Sequence, residues 1–389
     1  MTRYRSFAAT AALAGSLAAA HLQPESTEAP MDDDKPEKRL SLTDATAFAQ
    51  QLCLAHGTSY AVATALANAT VSAQAHGQHE VGFGHLPDYL SGFAAGRIAT
   101  AAEPIVTQVA PAMIRCDAAR GIAQLGFDRA FPALCSNAHQ LGIALFAQFN
   151  AFTCGELGYY TRRLAREGLV ALAFTNGSPL LTVAGQSRPL YSTNPIAFAA
   201  ASDTGRLLAI DQASSATAYV NLLRAAEAGE AIPAGWAVDG QGNETHSARE
   251  ALHGTLLAFG GGRGANIALM VEVLAAGVTG ANWSLDAGDF RAGSESPGAG
   301  MLVIGIAPRL LDECFASRLD EQMARLEALG VYLPGKGKEQ AYARALREGI
   351  SLPLAAYDAF RGAVGVVTSF AIAGCGSLPD RGGAVAEPG

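Results

Sequence analysis

The chain has 389 residues, half of them hydrophobic and 16% charged, and carries a formal net charge of −8. That composition suits one large or two to three ordinary folded domains and excludes a disordered chain. The negative balance, with no Lys/Arg cluster interleaved with aromatics, argues against non-specific nucleic-acid binding. The cysteines (Cys53, Cys116, Cys135, Cys154, Cys314, Cys375) lie far apart with no C-x-x-C pair. They make neither a disulfide scaffold nor a zinc site, and a reduced, cytoplasmic enzyme is the plain reading.

Residues 1–40 read as a leader. Arg3 and Arg5 precede SFAATAALAGSLAAA, which mimics a short signal peptide, although its apolar run is mostly alanine. Met31 opens a sequence like an ordinary start. A disordered or targeting-like leader is expected, and export stays open beside a cytoplasmic location. No 18-residue membrane span follows.

A helical domain is expected over 41–104. Ser41 or Thr43 can cap a helix with Phe48, Leu52 and Leu54 at helical spacing. Thr58 to Ala75 forms a second, alanine-rich helix, and LPDYLSGFAAGRI a third that ends at Gly96. Between them, Gly77 to Gly84 is a loop with His76, His79 and His85 nearby. Residues 105–305 read as an α/β domain with strands at 142–146, 169–174 and 207–210 and helices at 128–141 and 157–167. Ala248 to Leu257 reads as a helix. Phe259-Gly-Gly-Gly-Arg263 then leads into the apolar segment Ile267 to Val278, and a Gly/Ser/Pro-rich loop runs from Ser284 to Gly300 before the strand MLVIGIAP. Residues 306–350 are a C-terminal helical segment with an amphipathic helix from Leu310 to Leu329 and Gly330 at its C′ position. The tail, 351–389, reads as flexible.

The stretch at Gly260 places a glycine turn, the cation Arg263 and a helix N-terminus together, an arrangement that favours an anion. Gly260, Gly262 and Ala265 match G-x-G-x-x-A. A Rossmann reading also needs a preceding strand and an acidic residue about 20 positions on. Here a helix is expected before the turn, and Asp286 is slightly too far, so the match alone carries little. Asp211 closes an apolar strand before a Ser-rich turn, where it can orient a base or simply cap a helix. His85 is the natural acid/base group, though a lone loop histidine is often only a surface or capping residue. Cys154 has no base in sequence view, so a buried structural thiol is the plainer reading. No H-E-x-x-H, Walker A or G-x-S-x-G motif occurs.

Several ordered segments together resemble the malate/L-lactate dehydrogenase family. They are Asp117 with Gly121 and Gln124; GELGYY (155–160); Thr175-Asn176; STNPIAF (192–198); IDQASS (210–215); GWAVDGQGN (235–243); and the Gly260 to Thr279 stretch. The resemblance covers about Ser41 to Lys338. It implies an α/β (α+β), non-Rossmann NAD(P)-binding fold with a small helical domain. It also implies a homodimer and hydride transfer from NADPH or NADH to a small 2-oxo acid or cyclic 2-imino acid, with no metal, nucleic acid or membrane involved. Carried over, Thr153, Cys154, Gly155, Glu156 and Leu157, then Asp211, Gln212 and Ala213, match cofactor-contacting turns. Arg263-Gly264 matches the family's Lys-Gly. Asp211 matches the aspartate that supports the catalytic histidine, Pro179 falls at a substrate-contacting position, and Lys338 would favour a 2′-phosphate if it points there.

The departures are specific. The family's Ser-His-Gly is Glu80-Val81-Gly82, so the usual catalytic histidine is Val81. The arginine that holds the substrate carboxylate is His85, and the histidine of the Asn-x-x-His-Phe-Gly turn is Thr153. Valine transfers no proton. Three readings follow: a divergent reductase in which His85 or His79, oriented by Asp211, transfers the proton; a catalytically impaired nucleotide-binding module with a regulatory role; and an exported ligand binder.

Overall fold

The structure, a computed structural model, describes residues 36–362; the expectations for residues 1–35 and 363–389 lie outside the described residues. Strand β1 (Glu37–Leu40) leads into helices α1 (Leu42–Ala55), α2 (Tyr60–Ala75) and α3 (Leu86–Ala94). Strands β2 (Ile105–Ala110) and β3 (Met113–Asp117) form a hairpin, followed by α4 (Ala123–Leu141), β4 (Ile143–Ala151), α5 (Gly158–Arg166) and β5 (Val170–Thr175). Next come β6 (Leu181–Thr182), β7 (Ile196–Ala201), β8 (Leu207–Gln212), α6 (Tyr219–Ala228), β9 (Ala237–Val238), α7 (Ala248–Ala251) and β10 (Thr255–Leu257). Helix α8 (Gly262–Glu272) continues as a π-helical turn, and β11 (Ala299–Ile306), α9 (Phe315–Ala328), α10 (Lys336–Glu348) and β12 (Ile350–Pro353) follow.

The central sheet has seven strands in the order β2-β3-β4-β11-β5-β7-β8. Its only parallel pair is β3 with β4; every other neighbouring pair is antiparallel. A Rossmann sheet is parallel, so this is a different architecture, as the resemblance implies. Successive side chains of a strand face opposite ways. Ala144 and Phe146 of β4 therefore join the core under α4 and α5, with Phe127, Leu134, Tyr160 and Leu164. Leu145 and Ala147 join the opposite core, under Val271 and Ala275 of α8 and its π turn. The middle of the sheet is thus covered on both faces, while β2 and one face of β3 stay exposed.

The helical layer follows from its caps and its alanines. Ser41 and Ser59 accept hydrogen bonds from Asp44 N and Val62 N and so cap α1 and α2. Helix α2 is buried on nearly all sides because alanine lets neighbouring backbones approach closely. Its core is completed by Ala345 of α10 and by Ile350 and Leu352 of β12, from the far end of the chain.

Two expectations change. The tail is not flexible from its start: β12 pairs antiparallel with β1, and residues 354–362 are helical, because Ile350 and Leu352 insert into the α1–α2 core. The stretch 248–257 is not one helix but α7 and then β10. Gly254 breaks it: a Cβ there would sit 1.8 Å from Val238 O, so the chain turns and β10 pairs with β6 and β9. A strand therefore does precede the glycine turn, but in a three-stranded satellite sheet.

Candidate active site

His85 stands at the N-terminus of α3, where HLPD places Asp88 on the same first turn. His85 Nδ1 lies 2.8 Å from Asp88 Oδ2, and Nε2 lies 3.0 Å from Thr153 Oγ1. A carboxylate only accepts, so the proton sits on Nδ1 and Nε2 is the atom that gains or loses one. The Thr153 hydroxyl can donate to bare Nε2 and accept from the protonated form. Burial works against ionised Asp88, but hydrogen bonds and charge from His85, then from Arg291, outweigh it and hold the carboxyl below its usual range. The imidazole is walled edge-on by Tyr89 and Phe290, with ring centroids 4.9 and 5.8 Å away.

The turn at 153–157 is fixed from below. Tyr89 Oη donates to Thr153 O, Gln124 Nε2 to Cys154 O, and Tyr160 Oη to Cys154 O at 2.7 Å. Burial pushes the Cys154 thiol up to about 12, so it is a packed thiol and no nucleophile at neutral pH. Glu156 is buried, and Arg162 donates to both of its oxygens at 2.6 and 2.7 Å. Burial opposes the Glu156 charge, yet Arg162 and then Lys338 hold its pKa down, to about 2. Its carboxylate is therefore committed, and only its backbone can meet a cofactor. Lys338 Nζ, expected to face a 2′-phosphate, lies 3.7 Å from Glu156 Oε1 instead.

Asp211 Oδ2 accepts from Gly158 N at 2.8 Å, the first N–H of α5. A Cβ on Gly158 would lie 2.8 Å from Arg162 Nη1 and 3.0 Å from Asp211 Oδ2, so glycine is needed for the approach. Burial, with repulsion from Glu156, raises the Asp211 pKa against the pull of Lys338. Among the described residues no hydrogen bond joins Asp211 to His85. Asp88 orients the histidine, while Asp211 anchors the 153–157 turn through α5. His79, the other candidate, is on the surface with Nδ1 2.7 Å from Gln74 Nε2.

The 211–213 turn and the glycine turn are joined: Phe259 N donates to Ser214 O, and Ala216 N to Leu257 O. Gly260 and Gly261 have φ +58° and +62°, a region that favours glycine. Helix α8 has no side-chain cap, and no atom lies within 4 Å of a Cβ built on Gly260, Gly261 or Gly262. Among the described residues exposed Arg263 makes no ion pair, and the buried Ser215 Oγ has no hydrogen-bond partner. Free N–H groups, an unpaired guanidinium and an orphaned hydroxyl fit the phosphates of a dinucleotide. Gly264 must be glycine, since a Cβ would meet Phe259 O at 2.0 Å. Gln212 is exposed and Ala213 half-buried beside this surface.

Pro179 lines a separate pocket of about 60 Å³ with Tyr219 and Leu222, yet its neighbour Ser178 donates to Gly288 O in the loop that carries Phe290. Asp88, Phe290, Arg291 and the buried Arg162 were not singled out from the sequence. Asp88 had a signal, the i, i+3 spacing from His85. Arg291, 3.3 and 3.4 Å from Asp88, comes from a loop without periodicity and had none.

The His85–Asp88 pair thus stands against the 153–157 turn, and an open, anion-favouring helix N-terminus stands against the 211–213 turn. The family profile described as malate/L-lactate dehydrogenase matches residues 40–361. A Delta(1)-pyrroline-2-carboxylate/Delta(1)-piperideine-2-carboxylate reductase of Pseudomonas syringae pv. tomato is 36% identical over 82% of this chain and 94% of that protein. A (2R)-3-sulfolactate dehydrogenase (NADP(+)) of Chromohalobacter salexigens is 35% identical over 83% of this chain and 97% of its own length. The crystal structure of delta1-piperideine-2-carboxylate reductase from Pseudomonas syringae superposes with a TM-score of 0.80 at 34% identity, covering 84% of this chain and 99% of that one. The chain belongs to the malate/L-lactate dehydrogenase family, and it is an NAD(P)-dependent oxidoreductase. No helix among the described residues is long and apolar enough to cross a membrane.

Proposed function

We propose that this chain reduces a small cyclic 2-imino acid or 2-oxo acid, with His85 as the group that handles the proton. The observation that carries it is the fixed pair His85–Asp88 with Nε2 turned to Thr153, in a protein whose residue 81 is valine. NADPH or NADH supplies the hydride, and the turns 153–157 and 211–213, with Arg263 and Gly264, would hold the nucleotide. With a 2-oxo acid, hydride adds to C2, the carbonyl electrons pass to oxygen, and His85 Nε2–H donates the proton that completes the hydroxyl. Asp88 stabilises the charged imidazole before the transfer. With a protonated cyclic imine, the C=N electrons pass to nitrogen as hydride arrives, and no proton need be supplied in that step. Phe290 and Tyr89 flank the imidazole and leave it only partly exposed. This chemistry asks least of the site when the substrate is the imine, the substrate class named in the Pseudomonas relative.

The half-buried Val81 favours a second reading, a nucleotide-binding protein without turnover. A screen with both cofactors against pyrroline-2-carboxylate, piperideine-2-carboxylate, pyruvate, oxaloacetate and sulfopyruvate separates the two. Turnover of an imino acid is the expected result; NADPH binding without turnover of any of these defeats the reductase reading.

The working form is taken to be a cytoplasmic homodimer, in which the helical domain (41–104) supplies His85 and the α/β domain (105–305) the nucleotide turns. The exposed apolar Leu269, Val273, Val278 and Trp283 around α8 support association, since such a patch is unusual on a monomer. Light scattering that returns the mass of one chain at micromolar concentration would refute the dimer.

A further inference from the structure

Any 2-oxo or 2-imino acid carries a carboxylate on the carbon beside the one that is reduced. The proton donor and the carboxylate-binding cation must therefore stand within a few ångströms of each other. Of the cations around His85, Arg97 is buried and already donates to Gly293 O and Ser91 Oγ. Arg224 lies on the surface, paired with Glu80. Arg291 differs. Its guanidinium and the His85 imidazole share one carboxylate oxygen: Asp88 Oδ2 lies 2.8 Å from His85 Nδ1 and 3.4 Å from Arg291 Nη2.

From this shared oxygen we infer that Arg291 is the substrate-carboxylate clamp, a specificity-determining residue supplied by the loop after α8. The inference rests on the reductase reading proposed above. Three features support it. The contacts to Asp88 are long, 3.3 and 3.4 Å, and the side chain is 58% exposed, so donors remain for a second carboxylate in the paired geometry that arginine favours. Phe290 is a common platform, with Arg291 Cζ 5.0 Å over its ring and His85 5.8 Å from it. The loop is pinned on both sides, by Ser178 Oγ to Gly288 O at 2.6 Å and by Arg97 Nη1 to Gly293 O at 3.0 Å. Arg291 is thus presented by a held loop. An ordinary surface ion pair contributes little and needs no such support.

The test is binding, read apart from turnover. Pyrrole-2-carboxylate, a planar unreactive carboxylate, is titrated into NADPH-saturated wild type, Arg291→Ala, Arg291→Lys and His85→Ala. The expected result is a dissociation constant raised about 10- to 100-fold in Arg291→Ala, as for loss of a charged hydrogen-bonded partner. Partial recovery is expected in Arg291→Lys, with unchanged NADPH affinity and unfolding temperature throughout. Pyrrole, which lacks the carboxylate, should bind wild type and Arg291→Ala alike. Equal pyrrole-2-carboxylate affinity in wild type and Arg291→Ala, or no binding by wild type, overturns the clamp. If the clamp behaves as expected but wild type turns over no 2-imino or 2-oxo acid, the reductase reading fails while the clamp stands.

Discussion

Two charged clusters lie on either side of the 153–157 turn, and they are built to opposite rules. Behind the turn, Glu156 and Arg162 are paired bidentately with both side chains 2% exposed, and Asp211 and Lys338 complete the set. In front of it, His85, Asp88 and Arg291 are partly exposed and joined through one shared carboxylate, with the arginine held only loosely. A buried, fully matched cluster fixes geometry and has nothing to spare for a ligand. A half-exposed cluster with slack donors can exchange partners with one. The same residue types thus hold the turn on one side and, on the reading proposed here, do chemistry on the other.

The largest effect should come from the rear cluster. Glu156→Ala leaves Arg162 buried and unpaired, which should cost about 3–5 kcal/mol of stability, measured by urea unfolding at pH 7. The pH dependence has a definite sign. The Glu156 pKa falls from 4.5 to about 2 on folding, so its contribution is present above the unfolded value and is lost as pH falls toward 2. Glu156→Gln should therefore flatten the acid limb between those values. An unchanged limb would mean that Arg162 does not hold this carboxylate.

The front cluster should respond in rate and not in stability. Asp88→Asn removes the charge that steadies the imidazolium, and kcat on a 2-oxo acid should fall roughly 10- to 100-fold with little change in unfolding temperature. A stability loss as large as that of Glu156→Ala would erase the contrast between the clusters. The smallest effect belongs to the glycine turn. Arg263→Ala should weaken NADPH binding by about 5- to 10-fold, seen by fluorescence titration, and leave substrate affinity alone. An unchanged NADPH affinity would remove the glycine turn from the cofactor site.

Much of the frame was legible because it is local. Ser41 announced its helix by capping chemistry, and the strands of the central sheet by short apolar runs between turns. Helix α4 begins at Ala123, ahead of Asp128, behind an N-cap, Ile122, that makes no side-chain cap and so left no signal in the sequence. The segment 248–257 was not legible for a tertiary reason, since Gly254 is dictated by Val238 O across the satellite sheet. In the site, the stretches 153–157, 211–213 and 260–264 carried over from the resemblance are linked by contacts, whereas Lys338 lies on α10 against Glu156 and Pro179 lines a separate pocket. Asn176 and Asn194 prove to be latches, on Gly300 N and Asn282 O and on Ala268 O and Glu272. The partnership of Asp211 with Gly158 and the arrival of Arg291 beside Asp88 span 53 and 203 positions. No spacing rule reaches that far.

On the proposed mechanism, proton transfer belongs to His85 and Val81 is inert. The most direct measurement is single-turnover oxidation of NADPH by wild type and His85→Ala, with pyruvate and with pyrroline-2-carboxylate. The expected result is a fall of about 10²–10⁴ with the keto acid, the usual worth of a general acid. With the protonated imine the fall should be about tenfold or less, and restoring a histidine by Val81→His in the His85→Ala background should recover keto-acid reduction. Equal rates for wild type and His85→Ala on both substrates would contradict it.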